Sequence, residues 1–133
     1  MKSFYYLSIC FCLLFNTSRN YSQCYYVVDM QDSFGDGWNG ASLDVSINGS
    51  LVSSLTFANG GNFTDSVFTL NGDFVEFYFS SGNWDTEITY QIYDPLSNQI
   101  GSYGPYPNNQ GNSGPVTSDT SNSTCAPQFV NVT

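Results

Sequence analysis

Basic side chains are almost absent from this chain. Its 133 residues include eleven Asp and Glu but only two Lys and Arg and no His, for a formal charge of −9. The two cations, Lys2 and Arg19, lie near the N-terminus, whereas every acid lies after residue 22. Crowded or buried carboxylates must therefore be hydrogen-bonded, protonated or bound to a cation from the medium, because no side-chain cation can pair with them.

The same deficit excludes several classes of function. Nucleic acids and anionic membranes are bound through Lys and Arg, so direct binding to either is not expected. Without His or Lys, general base catalysis near neutral pH and nucleophilic triads lack their usual groups. Only a carboxylate pair of the glycosidase type remains, and a chain this short rarely forms the deep cleft that such enzymes need. We therefore expect a protein that is not an enzyme.

The N-terminal segment has the layout of a secretory signal peptide. Lys2 is followed by an apolar run over residues 4–15 and then by polar residues, with cleavage after Ser22 or, alternatively, after Ser18. The run is shorter than the roughly 20 residues of a membrane-spanning helix, so no transmembrane segment is expected. Residues 1–22 are interpreted as a leader and the protein as secreted and extracellular.

Cysteine is scarce as well. Cys10 and Cys12 lie in the predicted leader, which leaves Cys24 and Cys125 near opposite ends of the remaining chain. An isolated pair in an oxidising compartment predicts one disulfide. Closing a loop of about a hundred residues contributes on the order of 4 kcal/mol of stability in the chain-entropy model.

Strand patterns dominate the rest of the chain. Apolar and polar residues alternate over residues 42–48 and lead into Asn48-Gly49, a strong hairpin signal, after which Leu51, Leu55 and Phe57 are expected to share one face of a return strand. A second hairpin is predicted at Asn71-Gly72. The strands flanking that turn and the remaining predicted strands cover residues 63–70, 73–80, 24–30, 87–94 and 99–103, with 128–132 as an optional last one.

These patterns predict an all-β protein, an antiparallel β-sandwich of the jelly-roll kind with about seven or eight short strands. Residues 23–103 form the expected core. Residues 104–133 are rich in Gly, Pro, Asn and Ser, so we expect a surface loop and a C-terminal segment tethered by Cys125.

A glycine-rich acidic loop is the most distinctive local feature. Residues 29–44, DMQDSFGDGWNGASLD, contain four acids within sixteen positions, and the glycines let the backbone turn so that oxygens converge. Calcium needs six to eight such oxygens. The loop is not an EF-hand, because Phe34 and Leu43 stand at positions three and twelve counted from Asp32. The expected ligands are Asp32, Asp36 and the Asn39 region, with Asp29 and Asp44 as further ones.

Asp85 and Glu87 form a second acidic cluster that could complete this site, since loops gather at the ends of a sandwich. The alternatives are that Asp32 and Asp36 form only Asx-type turns and that Glu87 faces water. Trp38 and Trp84 lie in the same loops. Each could stack on a sugar ring or fold inward as a plug over the core.

Two segments, DSFGDGWNGASLDVSING and GNWDTEITYQIYD, resemble a small β-sandwich module of secreted and cell-surface proteins of marine bacteria and protists. The later part is also loosely similar to calcium-binding CUB-type domains. The resemblance covers about Cys24–Tyr103. It implies an extracellular binding or scaffold domain, with Asp32, Asp36, Asp85 and Glu87 at the matching acidic positions.

Two functions of different class are therefore expected. The first is a calcium-binding adhesion or glycan-binding module whose partner is an extracellular glycan or surface protein. The alternative is a self-assembling structural subunit of an extracellular matrix, coat or filament, whose partners are copies of itself and whose strand edges carry no lysine to block pairing. Glycosylation is expected at the sequons of Asn48, Asn62, Asn122 and Asn131 if the source is eukaryotic.

Overall fold

Eight strands account for nearly all the regular structure in residues 24–107 and 114–122, the ranges that the computed structural model describes. In chain order they are β1 (Cys24–Asp32), β2 (Ser42–Ile47), β3 (Ser50–Leu55), β4 (Asn62–Thr69), β5 (Phe74–Ser80), β6 (Ile88–Tyr93), β7 (Gln99–Tyr103) and β8 (Thr117–Thr120). A short 3₁₀ helix, Asp85–Glu87, precedes β6. No helix among the described residues is long and apolar enough to cross a membrane.

The strands form two antiparallel sheets of four, with orders β4-β1-β6-β7 and β3-β2-β5-β8. Alternate residues of each inner strand are buried between the sheets, as the period of two requires. The fully buried positions include Tyr26, Val28 and Met30 of β1, Leu43 and Val45 of β2, Val75 and Phe77 of β5, and Ile88, Tyr90 and Ile92 of β6. The predicted β-sandwich is confirmed.

The two Asn-Gly turns behave differently. Asn48 and Gly49, with φ of 51° and 81°, join the adjacent antiparallel strands β2 and β3 in the predicted hairpin. The hairpin predicted at Asn71-Gly72 is wrong, because β4 pairs with β1 whereas β5 pairs with β2 and β8. The chain turns tightly there, with Leu70 and Asp73 bonded to each other, but it passes from one sheet to the other. Local turn chemistry specifies the turn and does not specify which strands pair.

A β-bulge places Leu51 on the opposite face of β3 from the one expected. Leu51 is 67% exposed, whereas Leu55 on the same strand is buried. The register shifts between Val45 and Ser46, which oppose Ser53 and Leu51 respectively, so β3 contains one extra residue. The prediction that Leu51 and Leu55 share an inward face is therefore wrong.

Strand β8 lies within the segment for which we expected a surface loop. It contains no apolar alternation, and pairing with β5 and a polar anchor hold it in place. The buried Tyr26 hydroxyl donates a hydrogen bond of 2.8 Å to Asp119 Oδ2. Burial raises the pKa of Tyr26, and the bonded carboxylate raises it further.

Several predictions concern residues outside the described ranges. The signal peptide, Cys125 and the optional strand at residues 128–132 all lie there, and so does part of the segment 104–133. Cys24 is buried, and its Sγ atom lies 4.0 Å from the Asn122 carbonyl oxygen. The disulfide between Cys24 and Cys125 stays a prediction.

Asn48 fastens the β2–β3 hairpin to the start of β5. Its Nδ2 donates to Asp73 Oδ1 at 2.8 Å, and its Oδ1 accepts the Phe74 N–H at 2.9 Å. The Asn48 backbone N–H also donates to the Phe74 carbonyl at 2.8 Å. The side chain of this sequon asparagine therefore connects two elements of the fold.

We expect Asn48→Ala to lower the free energy of unfolding by about 2–3 kcal/mol. Two side-chain hydrogen bonds of about 1 kcal/mol each are lost, and Ala tolerates the left-handed backbone at φ 51° less well than Asn does. Urea unfolding measures the change. Asn71→Ala is the matched control, since exposed Asn71 also precedes a glycine, and its expected effect is within about 0.5 kcal/mol. Equal losses in the two variants would contradict this role of Asn48.

Candidate metal centre

Asp32, the last residue of β1, organises the loop that follows it. Its Oδ2 accepts the backbone N–H groups of Gly35, Asp36 and Gly37 at 2.8, 2.8 and 2.9 Å. Its Oδ1 accepts one longer bond, from the Phe34 N–H at 3.2 Å. Burial raises the pKa of Asp32, but these four donors outweigh it and lower the pKa below its ordinary value. These bonds stabilise the ionised carboxylate and form Asx-type turns, and they leave Oδ1 with a single longer bond.

Gly37 fixes the loop against the connection between β3 and β4. Its φ is 89°, and a Cβ at this position would lie 2.5 Å from the backbone carbon of Ala58. On either side, the Trp38 N–H donates to the Phe57 carbonyl at 2.9 Å and Asp36 forms an isolated bridge with Gly60. The backbone on both sides of Gly37 is thus held in place.

Glu87 brings a third carboxylate to this loop from the 3₁₀ helix. Carboxylate oxygens of Asp32, Asp36 and Glu87 lie within 4.8 Å of one another. The Ser33 N–H donates to the Glu87 carbonyl at 3.0 Å and so ties the two segments together. Burial raises the pKa of Glu87, and the negative charges of Asp32 and Asp36 raise it further. We call these three residues the carboxylate triad.

The triad has the chemistry of a site for a hard cation. Its ligand atoms are all carboxylate oxygens, which calcium prefers, and water or ligand hydroxyls could supply the rest of a six- to eight-oxygen shell. Residues 24–107 and 114–122 contain no Lys, Arg or His to neutralise it. The set contains no sulfur or imidazole ligand, so it does not resemble a zinc site.

The structure places two other predicted ligands beside the triad in supporting roles. Asn39 donates from Nδ2 to Asp36 Oδ1 at 2.8 Å and to the Gly37 carbonyl at 3.0 Å, so it orients Asp36. Asp85 is fully buried and accepts hydrogen bonds from the Ser81 hydroxyl and, at 2.9 Å, from the Gly82 N–H. Asp85 stabilises the turn that leads to Glu87.

Asp29 and Asp44 do not join the triad, because hydroxyl groups satisfy them elsewhere. Asp29 accepts a bond of 2.7 Å from Thr64 Oγ1. Asp44, on the outer face of β2, accepts bonds of 2.6 to 3.0 Å from three serines, Ser42, Ser54 and Ser80. Burial raises the pKa of Asp44, but these bonds outweigh it, so the pKa lies below its ordinary value.

The two tryptophans have different environments. Trp38 is fully buried, its Nε1 donates to the Gln31 carbonyl at 3.1 Å, and its ring packs against aromatic rings of both sheets. It plugs one end of the core. Trp84 is 59% exposed and lines an open cleft of about 310 Å³ together with Phe34, Asp36 and Glu87.

Phe34 was missed in the sequence-based choice of ligand-binding residues. It is 75% exposed, more than any other large hydrophobic side chain among the described residues. The available signal was its position between Asp32 and Asp36, in a loop too short to bury every aromatic. Phe34 and Trp84 thus flank two of the three carboxylates.

The sequon asparagines differ in environment. Asn48 is bonded through its carboxamide, as described above, whereas Asn62 and Asn122 are exposed. Asn131 lies outside the described residues.

No family model, curated protein or solved structure matches this chain. The resemblance to the secreted sandwich module therefore stays a prediction, and the chemistry of the triad and its cleft carries the functional argument.

Gly35 and Gly37 provide a matched pair that tests how the triad is supported. Both have φ near 90°, but a Cβ at Gly35 would meet no atom within 4 Å. We expect Gly35→Ala to cost about 1–3 kcal/mol from backbone strain alone. Gly37→Ala should cost at least about 2 kcal/mol more, because its methyl group clashes with fixed backbone. Thermal unfolding compares the two, and similar losses would contradict close packing at Gly37.

Proposed function

We propose that this protein is a secreted, non-catalytic calcium-binding β-sandwich that acts as an adhesion or glycan-binding module. The observation that carries the proposal is the cleft beside the carboxylate triad. Exposed Phe34 and Trp84 line it together with Asp36 and Glu87, so apolar ring faces and cation-binding oxygens face the same space. Sugars present both an apolar C–H face and hydroxyl groups, which this combination could bind.

Calcium is the cation that best fits the expected compartment. Three carboxylates within 4.8 Å repel one another unless a cation or protons intervene. Extracellular calcium modules bind the ion with dissociation constants of about 10⁻⁴ to 10⁻³ M. A site with waters in its remaining positions could accept ligand hydroxyls in their place, which would couple sugar binding to the metal.

The same carboxylates bear on the enzymatic alternative. The pKa values of Asp32 and Glu87 are shifted in opposite directions, as in the acid and nucleophile of a glycosidase. However, Oδ2 of Asp32 is already engaged with three backbone N–H groups. This favours binding over hydrolysis, and recovery of an intact glycan after prolonged incubation is the expected result.

A specific observation also favours self-assembly as the second candidate. Strand β3 lies at a sheet edge, its sequence SLVSSL has no charge, and Leu51 and Val52 are 67% and 51% exposed. Uncharged edge strands can pair with a neighbouring chain. A monodisperse monomer by light scattering at millimolar calcium would count against this alternative.

Substitution of Glu87 is expected to change stability in opposite directions with and without calcium. In EGTA, Glu87→Gln should raise the melting temperature, because it removes repulsion from Asp32 and Asp36. In calcium the wild type should gain stability, by about 2.7 kcal/mol at 100 times the dissociation constant, and the variant should gain less. Differential scanning calorimetry measures both states.

The control is Glu76→Gln, which changes the only other glutamate and lies on β5. Its melting temperature should respond to calcium as the wild type does. A wild type that is indifferent to EGTA would contradict calcium binding.

The two exposed aromatics are expected to bind sugar and to be dispensable for calcium. Phe34→Ala and Trp84→Ala should each weaken glycan binding roughly tenfold or more, since buried aromatic contacts commonly contribute over 1 kcal/mol. Both variants should retain the melting shift in calcium. Phe68→Ala is the control, because Phe68 is 43% exposed and packs on Tyr25 instead of lining the cleft.

The measurement is retention on an array of neutral and acidic glycans, in calcium and in EGTA. Retention of the wild type in EGTA, or retention of both alanine variants in calcium, would contradict the proposed mode of binding.

A further inference from the structure

A second groove shares Glu87 with the aromatic cleft. Its volume is about 450 Å³, and its lining includes Asp32 and Glu87 of the triad together with uncharged polar side chains. Glu87 lines both spaces, so the triad stands at their junction. Both volumes are within the range of about 300–1,000 Å³ typical of small-molecule sites.

Three strands of the first sheet supply the polar side of this groove. Gln31 of β1 stands opposite Asn62 of β4 on one side and opposite Thr89 of β6 on the other. The three residues thus form a row across the sheet. They alternate with the buried residues Met30 and Ile88, so the row lies on the outer face. We call Asn62, Gln31 and Thr89 the amide row.

The amide row is partly organised before any ligand arrives. Thr89 Oγ1 donates to Gln31 Oε1 at 3.0 Å, and Gln31 Nε2 donates to Gln91 Oε1 at 3.5 Å. Each carboxamide nitrogen has two hydrogens, so Gln31 retains one for a ligand and exposed Asn62 offers its own. The bonded Gln31 carboxamide, the Thr89 hydroxyl and the exposed Asn62 carboxamide offer donors and acceptors that can pair with the hydroxyl groups of a polyol.

The charge of the groove restricts the ligand further. Its charged lining residues are two carboxylates, and it has no cation. Even with one calcium ion bound, the three carboxylates of the triad leave a net charge of about −1, and the groove has no cationic side chain. An anionic group in the groove would therefore be repelled. The matching ligand is therefore rich in hydroxyl groups and uncharged.

We propose that the amide row forms a second sugar subsite, so that the ligand is a neutral oligosaccharide of at least two units that spans Glu87. One sugar stacks on Phe34 and Trp84, and the next bonds to Asn62, Gln31 and Thr89. This inference rests on the proposed glycan-binding function and specifies the length and charge of the ligand.

Calorimetric titration with oligosaccharides of one to four sugars tests the subsite. The probes are cello-, laminari- and chito-oligosaccharides, with oligogalacturonides as the acidic series, all in millimolar calcium. The protein is made in a host without N-glycosylation, because a glycan on Asn62 would occupy the groove. For at least one neutral series, affinity should rise tenfold or more from one sugar to the longer members.

Thr89→Val removes a groove hydroxyl and keeps the branched shape that a strand prefers. It should lower affinity for the longer oligosaccharides at least fivefold and leave affinity for the single sugar unchanged. Thr120→Val, on β8 in the opposite sheet, is the matched control and should change neither.

The possible failures are distinguishable. Binding to none of the probes counts against the proposed function and removes the subsite with it. Equal affinity for one sugar and for four overturns the second subsite alone. Tighter binding of oligogalacturonides overturns the requirement for a neutral ligand.

Discussion

The hydrogen bonds between the Asp32 carboxylate and four successive backbone N–H groups are the interaction on which the site depends. They close the loop after β1 and set the positions of Phe34 and Asp36. Trp38 follows directly and enters the core, where it covers one end of the sandwich. Because one carboxylate closes the loop and also belongs to the triad, packing of the core and geometry of the candidate site are coupled.

The shortage of cations is met in different ways at different acids. Backbone N–H groups satisfy Asp32, and hydroxyl groups of serine, threonine and tyrosine satisfy Asp44, Asp29, Asp85 and Asp119. Neutral donors stabilise a carboxylate without a balancing charge. Among the described residues, Glu87 shows the opposite outcome, because its side chain has no such donor and its pKa is raised. A bound proton or an external cation would relieve that charge.

Much of the fold could be predicted from the sequence because its signals are local. Alternation identified seven strands, and the burial of Tyr90 and Phe77 followed from the period of two. Features that depend on distant partners were missed. The sheet change at Gly72, the bulge near Ser53 and the pairing of β8 with β5 follow from tertiary packing.

At the site, Asp29 and Asp44 were expected beside Asp32 because they are close to it in the sequence. The structure places Asp29 on β1 beside Thr64 and Asp44 on the outer face of β2 beside Ser42, so neither joins the triad. The exposure of Phe34 could not be predicted, because its direction depends on the hydrogen bonds between the loop backbone and Asp32, which composition does not reveal.

Terbium luminescence tests most directly whether Asp32, Asp36 and Glu87 hold a metal ion. Tb³⁺ binds the kind of oxygen ligands that Ca²⁺ binds, and Trp84 lines the cleft that contains Asp36 and Glu87. Excitation of tryptophan should therefore produce sensitised terbium emission, which added calcium should quench by displacement. The emission should fall strongly in Glu87→Gln. Absence of sensitised emission from the wild type, or equal emission from the variant, would contradict a cation at the triad.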